Sequence, residues 1–287
     1  MNCRKKILII AKMNHAGMLA NKVVIITGAS SGIGKALAEV CSRKGAKLVL
    51  AARNQEKLAK LSAQLENQGC ENIYVETDVS KESDCKAMVE KAVARFGTID
   101  VLINNAGISM RALFKDVEIN VIRELMDINF WGTVYCTKYA LPYLLKSKGS
   151  VAGIISIAGY IGLPGRTGYS ASKYAIRGFL DTLRVENLHA GLHVLVAAPG
   201  FTASNIRFRA RTADGSVQGE TPRDESKMMT AEKTAEKIIH ALEKKKRTLI
   251  LTFVEGKLSV FLSKWFPRLL DTLAYNHMAK EPESPFK

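Results

Sequence analysis

Lys22-Val23-Val24-Ile25-Ile26-Thr27-Gly28-Ala29-Ser30-Ser31-Gly32-Ile33-Gly34-Lys35-Ala36-Leu37-Ala38-Glu39-Val40-Cys41 passes through three kinds of chain without a break. Lys22 to Thr27 is apolar and β-branched, the pattern of a strand buried on both faces of a parallel sheet. Gly28 to Gly34 is a glycine loop. Lys35 to Cys41 has the composition of a helix. Strand, loop and helix in succession aim backbone N–H groups and a helix N-terminus at a diphosphate. Gly28, Ser30, Ser31, Gly32, Ile33 and Gly34 are therefore candidate dinucleotide contacts. Their spacing is Gly-x-x-x-Gly-x-Gly, not the Gly-x-Gly-x-x-Gly of the common fingerprint. A plain strand-to-helix turn is the other reading, and the flanking strand and helix count against it.

The next apolar run, Lys47-Leu48-Val49-Leu50-Ala51-Ala52, ends at Arg53. An acidic residue there would accept bonds from the ribose hydroxyls of NAD, whereas an arginine meets a 2′-phosphate. Such charge-assisted bonds contribute about 1.5–3 kcal/mol. Arg53 thus points to NADP(H), with a solvated arginine opening the next helix as the alternative. Further strand-like runs lie at Val101-Leu102-Ile103, Val151 to Ile157, His193 to Ala198 and Thr248 to Leu251, with helical segments between them. The alternation predicts an α/β fold: one domain with a doubly wound parallel sheet and a C-terminal helical extension. The expected divisions are an extension over 1–20, a catalytic domain over 21–253 with a lid at about 203–229, and a helical tail over 254–287.

Tyr169-Ser170-Ala171-Ser172-Lys173 carries the candidate chemistry, with Ser156 upstream. Residues four apart share a helix face, so a helix starting near Thr167 points Tyr169 and Lys173 the same way. A lysine cation roughly 4–6 Å from a phenol favours phenolate by about 3–4 kcal/mol at an effective dielectric of about 20. Tyr169 is then a proton donor to the alkoxide formed when hydride reaches a carbonyl. Ser156 is placed to hold that oxygen. A Tyr–Lys pair at this spacing is common on exposed helix faces. The order of motifs, glycine loop first and triplet later, is what makes the catalytic reading stronger.

These residues resemble the classical branch of the short-chain dehydrogenase/reductase family, NADP(H)-type, and the resemblance runs from about Lys22 to Leu251. It implies a Rossmann-type fold. It implies that Asp78-Val79 contacts adenine and that Asn104-Asn105-Ala106-Gly107 lies after the fourth strand, with Asn105, Ala106 and Gly107 at the cofactor. It implies that Asn129 completes a tetrad with Ser156, Tyr169 and Lys173, holding a water that links the lysine to solvent. Lys173 would also hold the nicotinamide ribose beside Tyr169, and Pro199, Gly200 and Thr202 would meet the nicotinamide. Ile157-Ala158-Gly159 stands where a second serine is frequent, and Ser204 where a threonine is usual. Ser31 takes the place of a basic residue before the second loop glycine, so Arg53 carries the NADP(H) reading alone.

The remaining sequence bounds partners. The chain has 287 residues, 47% hydrophobic, and a formal charge of +15. That surplus suits an anionic dinucleotide, and no nucleic-acid motif accompanies it. No metal-ligand cluster is visible, and Cys3, Cys41, Cys70, Cys85 and Cys136 show no paired spacing, as for reduced cytosolic thiols. The basic start with Ile7 to Ala11 is too short for a signal-peptide core. In the lid, Arg207, Arg209, Arg211 and Arg223 read first as a solvated face and second as a greeting for an anionic substrate group. Met110, Leu163 and Phe201 are expected to line an apolar pocket for a small carbonyl or alcohol substrate. In the tail, Leu258, Phe261, Leu262, Trp265 and Leu269 recur at helical spacing, and Pro267 is placed to start a second helix. Packing onto the domain or a sister subunit is the first reading, and peripheral membrane contact the second. The overall expectation is a cytoplasmic homodimer or homotetramer reducing carbonyls. Its rivals are an NAD-linked hydroxysteroid-type or long-chain alcohol dehydrogenase and a dinucleotide-sensing scaffold.

Overall fold

The structure, a computed structural model, describes residues 17–204, 206–221, 228–281 and 284–286. Most of the expected 1–20 extension and Arg223 lie outside these residues. The strands are Val23–Thr27 (β1), Lys47–Ala52 (β2), Asn72–Glu76 (β3), Val101–Asn104 (β4), Ser150–Ile154 (β5), His193–Ala198 (β6) and Thr248–Ile250 (β7). They form one parallel sheet in the order β3-β2-β1-β4-β5-β6-β7. The helices are Gly32–Arg43 (α1), Gln55–Asn67 (α2), Glu82–Phe96 (α3), Ile119–Leu125 (α4), Gly132–Lys146 (α5), Thr167–Glu186 (α6), Ala231–Glu243 (α7), Ser259–Trp265 (α8) and Pro267–Ala279 (α9).

Alternation along β1 builds both faces of the domain. Val24 and Ile26 enter a core with Leu37 of α1, Leu58 of α2 and Ile238 of α7. Val23 and Ile25 enter the opposite core with Met88 of α3, Leu144 of α5 and Leu180 of α6. Successive strand residues point to opposite sides, so an unbroken apolar run serves both layers. Each such side chain contributes about 1.5–3 kcal/mol by leaving water. The start of β1 is tied down by Asp100, whose carboxylate accepts from the Val23 N–H at 2.9 Å and the Lys22 ammonium at 2.8 Å. The chain winds outward from β1 to β3 and then returns to β4. Strand order therefore reverses between β1 and β4, which opens a crevice at their carboxyl ends.

The lid is laid across that crevice. Its base is zipped by the Ala203 N–H donating to Met229 O at 2.9 Å. Arg211 makes two bonds to the Glu124 carboxylate, at 2.8 and 2.5 Å, and its backbone pairs with Ser109 and Arg111. The expectation of a solvated arginine face is corrected at Arg207 and Arg211: Arg207 is buried, and Arg211 is held by an ion pair. The lid folds inward because Arg207 reaches Thr202 O at 2.9 Å and Thr221 Oγ1 at 3.3 Å. Arg209 is the exposed one of the three.

The tail departs further from expectation. Phe253–Leu258 forms a π-helical turn that leads into α8 and α9. Pro267 does open α9. Phe261, Trp265 and Leu269 are exposed, so the stripe does not pack onto the domain. The physical reason is that α1, α2 and α7 already cover one face of the sheet, and α3, α5 and α6 the other. The end of the tail does dock: Met278, Glu281 and Ser284 are buried. Glu281 pairs with Arg111 at 3.3 Å, and both side chains are 7% exposed.

Candidate active site

The carboxyl ends of the central strands frame a cleft of about 620 Å³. On its floor the glycine loop is packed too tightly for any other residue. A β-carbon on Gly34 would lie 2.1 Å from Gly28 O, and one on Gly28 would lie 2.9 Å from the Ala106 Cα. Gly28 also holds φ at +68°, a left-handed conformation that glycine adopts at little cost. Thr27 Oγ1 accepts from the N–H groups of Asn105 and Ala106, both at 3.0 Å. Asn105 Nδ2 donates to Thr27 O at 2.9 Å. Asn105 thus braces β1 against β4 at the cleft floor.

Ser31 is the N-cap of α1 but makes no side-chain cap, which leaves its first-turn N–H groups to other partners. Arg53 and Asn54 line the cleft at the end of β2, and Thr77, Asp78 and Val79 line it after β3. Asp78 is partly committed, accepting from the N–H and hydroxyl of Ser80 at 3.1 and 2.8 Å. Ile206, Arg209 and Arg211 of the lid complete the wall. A cradle closed to β-carbons, an uncapped helix start and a cation at the far end fit a phosphate-bearing dinucleotide.

A smaller cavity of about 110 Å³ adjoins the cleft and holds Ser156, Tyr169 and Lys173. Ser156 caps the short turn after β5, accepting from the Ala158 N–H at 3.2 Å. Its hydroxyl also bonds Tyr169. Tyr169 and Lys173 sit one turn apart on α6, with Lys173 Nζ 5.7 Å from the Tyr169 ring centre. Nζ donates to Ile154 O at 3.1 Å. Burial brings the Lys173 pKa down to about 8. Burial also raises the Tyr169 hydroxyl above the ordinary phenol value, against the pull of Ser156, Arg166 and Arg207. This corrects the expectation of a tyrosine lowered by its lysine: desolvation of the phenol outweighs the cations, and the cations acting on it are arginines.

Asn129 lies in a π-helical segment, Met126–Trp131, between α4 and α5. Such insertions recur where a helix is shaped around a site. Its Oδ1 accepts from the Ile108 N–H at 2.8 Å. Its Nδ2 donates to Ile108 O at 3.0 Å and to Ser172 Oγ at 2.9 Å. Ser172 Oγ in turn donates to Tyr169 O at 2.8 Å. A β-carbon on Gly107 would lie 2.9 Å from Asn129 Oδ1 and 3.3 Å from Lys173 Nζ. Asn129 Oδ1 and Lys173 Nζ therefore both flank Gly107.

A family model described as short chain dehydrogenase matches residues 22–214. The chain belongs to the short-chain dehydrogenase family. It is 36% identical over 281 residues to a mouse protein described as dehydrogenase/reductase SDR family member 7B, covering 96% of this chain and 87% of that one. A sesame protein described as 11-beta-hydroxysteroid dehydrogenase A is 38% identical over 251 residues, covering 86% and 70%. Among solved structures, an alcohol dehydrogenase from Thermococcus sibiricus, complexed with 5-hydroxy-NADP, superposes with a TM-score of 0.72 at 28% identity, covering 80% and 95%.

The short-chain dehydrogenase site thus gathers the candidates around two adjoining cavities. Gly28, Ser30 to Gly34, Arg53, Asp78, Val79 and Asn105 to Gly107 line the larger. Ser156, Tyr169, Lys173, Pro199, Gly200 and Thr202 line the smaller. Thr202 is buried and its hydroxyl lies 3.3 Å from that of Thr234. Leu163 and Phe201 reach the pocket as expected. Met110 does not: it is fully buried, and its sulfur lies beneath Gly168 of α6. Sequence reading missed Thr27, Ser109, Arg166, Ser172 and the inward turn of Arg207. Thr27 and Ser172 carried a signal, being hydroxyls inside otherwise quoted motifs. Arg166 carried none, since only the return of the loop beside Ser109 brings it to Tyr169; its guanidinium donates to Ser109 Oγ at 2.8 Å.

Proposed function

We propose that this short-chain dehydrogenase interconverts a carbonyl and a secondary alcohol with NADP(H). The observation that carries the reading is the pairing of a dinucleotide-shaped cleft with the Ser156, Tyr169 and Lys173 pocket at one strand-order reversal. When bound, the nicotinamide group supplies or accepts the hydride. Tyr169 gives its hydroxyl proton to the carbonyl oxygen in reduction and takes one in oxidation. Ser156 holds the same oxygen through its hydroxyl. Lys173 holds the nicotinamide ribose, and a buried ammonium with a pKa of about 8 exchanges protons near neutral pH. Asn129 and Ser172 keep α6 in register with Gly107.

Arg53 selects the 2′-phosphate form of the cofactor. The name of the archaeal neighbour, which was solved with 5-hydroxy-NADP, supports that choice. The pocket wall of Ile155, Ile157, Leu163 and Phe201 favours an apolar substrate, and the sesame relative's name puts steroids on the panel. Self-association is part of the reading, through the exposed Tyr174, Val185 and Leu188 on and just after α6. The test is a panel of ketosteroids, long-chain 3-keto compounds, sugars and quinones, with the matching alcohols, assayed with NADPH, NADP⁺, NADH and NAD⁺. Turnover with the phosphorylated pair at a lower KM is expected. Tight NADPH binding with no turnover would replace the proposal with a dinucleotide sensor.

A further inference from the structure

The chain from Lys257 to His277 contains no buried residue, yet it is rich in large apolar side chains. Phe253 is 70% exposed, Trp265 69%, Phe266 55% and Phe261 51%. Leu269, Leu273 and Tyr275 are exposed beside them. Soluble monomers rarely expose a contiguous apolar patch of more than a few hundred Å² without a partner for it. The segment is nevertheless fastened at both ends. Gly256, at its start, is buried. Beyond α9, Met278 and Glu281 are buried, with Glu281 on Arg111. α8 and α9 therefore form a helical hairpin raised from the domain surface.

Charge identifies the partner. From Phe253 to His277 the exposed cations Lys257, Lys264 and Arg268 outnumber the exposed carboxylates Glu255 and Asp271, and the whole chain carries a formal charge of +15. Aromatic and aliphatic side chains interleaved with cations match the boundary between anionic headgroups and acyl chains. Among the described residues no helix is long and apolar enough to cross a membrane, so contact is in the plane of the surface. We propose that the α8–α9 hairpin docks this protein onto an anionic lipid surface. Met278 and Pro285 lie against Gly165, so the hairpin stands next to the loop that carries Arg166 into the catalytic pocket.

The experiment is flotation of the full-length protein with vesicles of phosphatidylcholine alone and of phosphatidylcholine with 30% phosphatidylserine. Binding to the anionic vesicles, weakened by salt, is expected. Phe261→Glu/Trp265→Glu and, separately, Lys257→Glu/Lys264→Glu/Arg268→Glu should each lower the partition coefficient at least tenfold. All five positions are exposed, so the circular dichroism spectrum should be unchanged. The chain has two tryptophans. In a Trp131→Phe background the emission of Trp265 should shift to the blue on anionic vesicles, a readout that needs no hairpin variant. No binding by the wild type, or binding indifferent to both variants, would overturn the proposal. So would a fall in sedimenting mass on Phe261→Glu/Trp265→Glu, which would mark the hairpin as a contact between copies.

Discussion

Replacing Lys173 with methionine should change how stability depends on pH. The ammonium is buried in α6, and its pKa in the fold is about 8 against an ordinary 10.5. Folding therefore disfavours the charged form. Below pH 8 both the folded and the unfolded chain carry the proton, and the wild type bears the full cost of burying it. Between about 8 and 10.5 the unfolded chain binds more protons, so wild-type stability rises with pH. Above that window both states are neutral and the cost is gone. At about 1.36 kcal/mol per pH unit the whole gap is roughly 3 kcal/mol, most of which falls between pH 7 and pH 10. Methionine keeps the stem and removes the titration. It also removes the charge-assisted bond to Ile154 O, worth about 1.5–3 kcal/mol, so the two proteins should have similar stability at pH 7. By pH 10 the wild type should lead by roughly 2–3 kcal/mol. Urea unfolding of both proteins at intervals from pH 7 to 10 measures the difference. A difference that stays flat across that range would show that Lys173 is not desolvated in the fold.

Three further outcomes follow from the same geometry. Tyr169→Phe should bind NADPH as the wild type does, by fluorescence titration, while turnover falls roughly 10²–10⁴-fold; near wild-type turnover would remove Tyr169 from the proton step. Arg53→Asp should raise the KM for NADPH and favour NADH, since a carboxylate repels a 2′-phosphate and accepts ribose bonds; an unchanged ratio of kcat/KM for the two cofactors would count against it. Arg111→Met takes the buried cation away from the Glu281 carboxylate and should cost about 3–5 kcal/mol in urea unfolding. Adding Glu281→Gln should recover part of that loss, and a single variant as stable as wild type would mean that the pair does not fasten the tail.

Local chemistry is written along the chain, and it was enough for the sheet, the glycine loop and the triplet. An unbroken β-branched run from Val23 to Thr27 specifies a strand buried on both faces. Three glycines in seven residues specify a close backbone approach, so close that a β-carbon on Gly34 would fall 2.1 Å from Gly28 O. A spacing of four on a helix specifies a shared face for Tyr169 and Lys173. Long-range folding decided the rest. Arg207 reads as a solvated lid cation until Thr202 and Thr221 capture it. Arg166 has no motif, and reaches Tyr169 only because its loop returns beside Ser109. Met110 follows a motif yet is consumed by the core. The sign of the Tyr169 shift depends on how much protein surrounds the phenol, which is a sum over many elements and not a property of five residues. The stripe along α8 and α9 shows the same division. Helical spacing and apolar content could be read from its residues, but whether the domain would bury it depended on whether any face of the sheet was left uncovered.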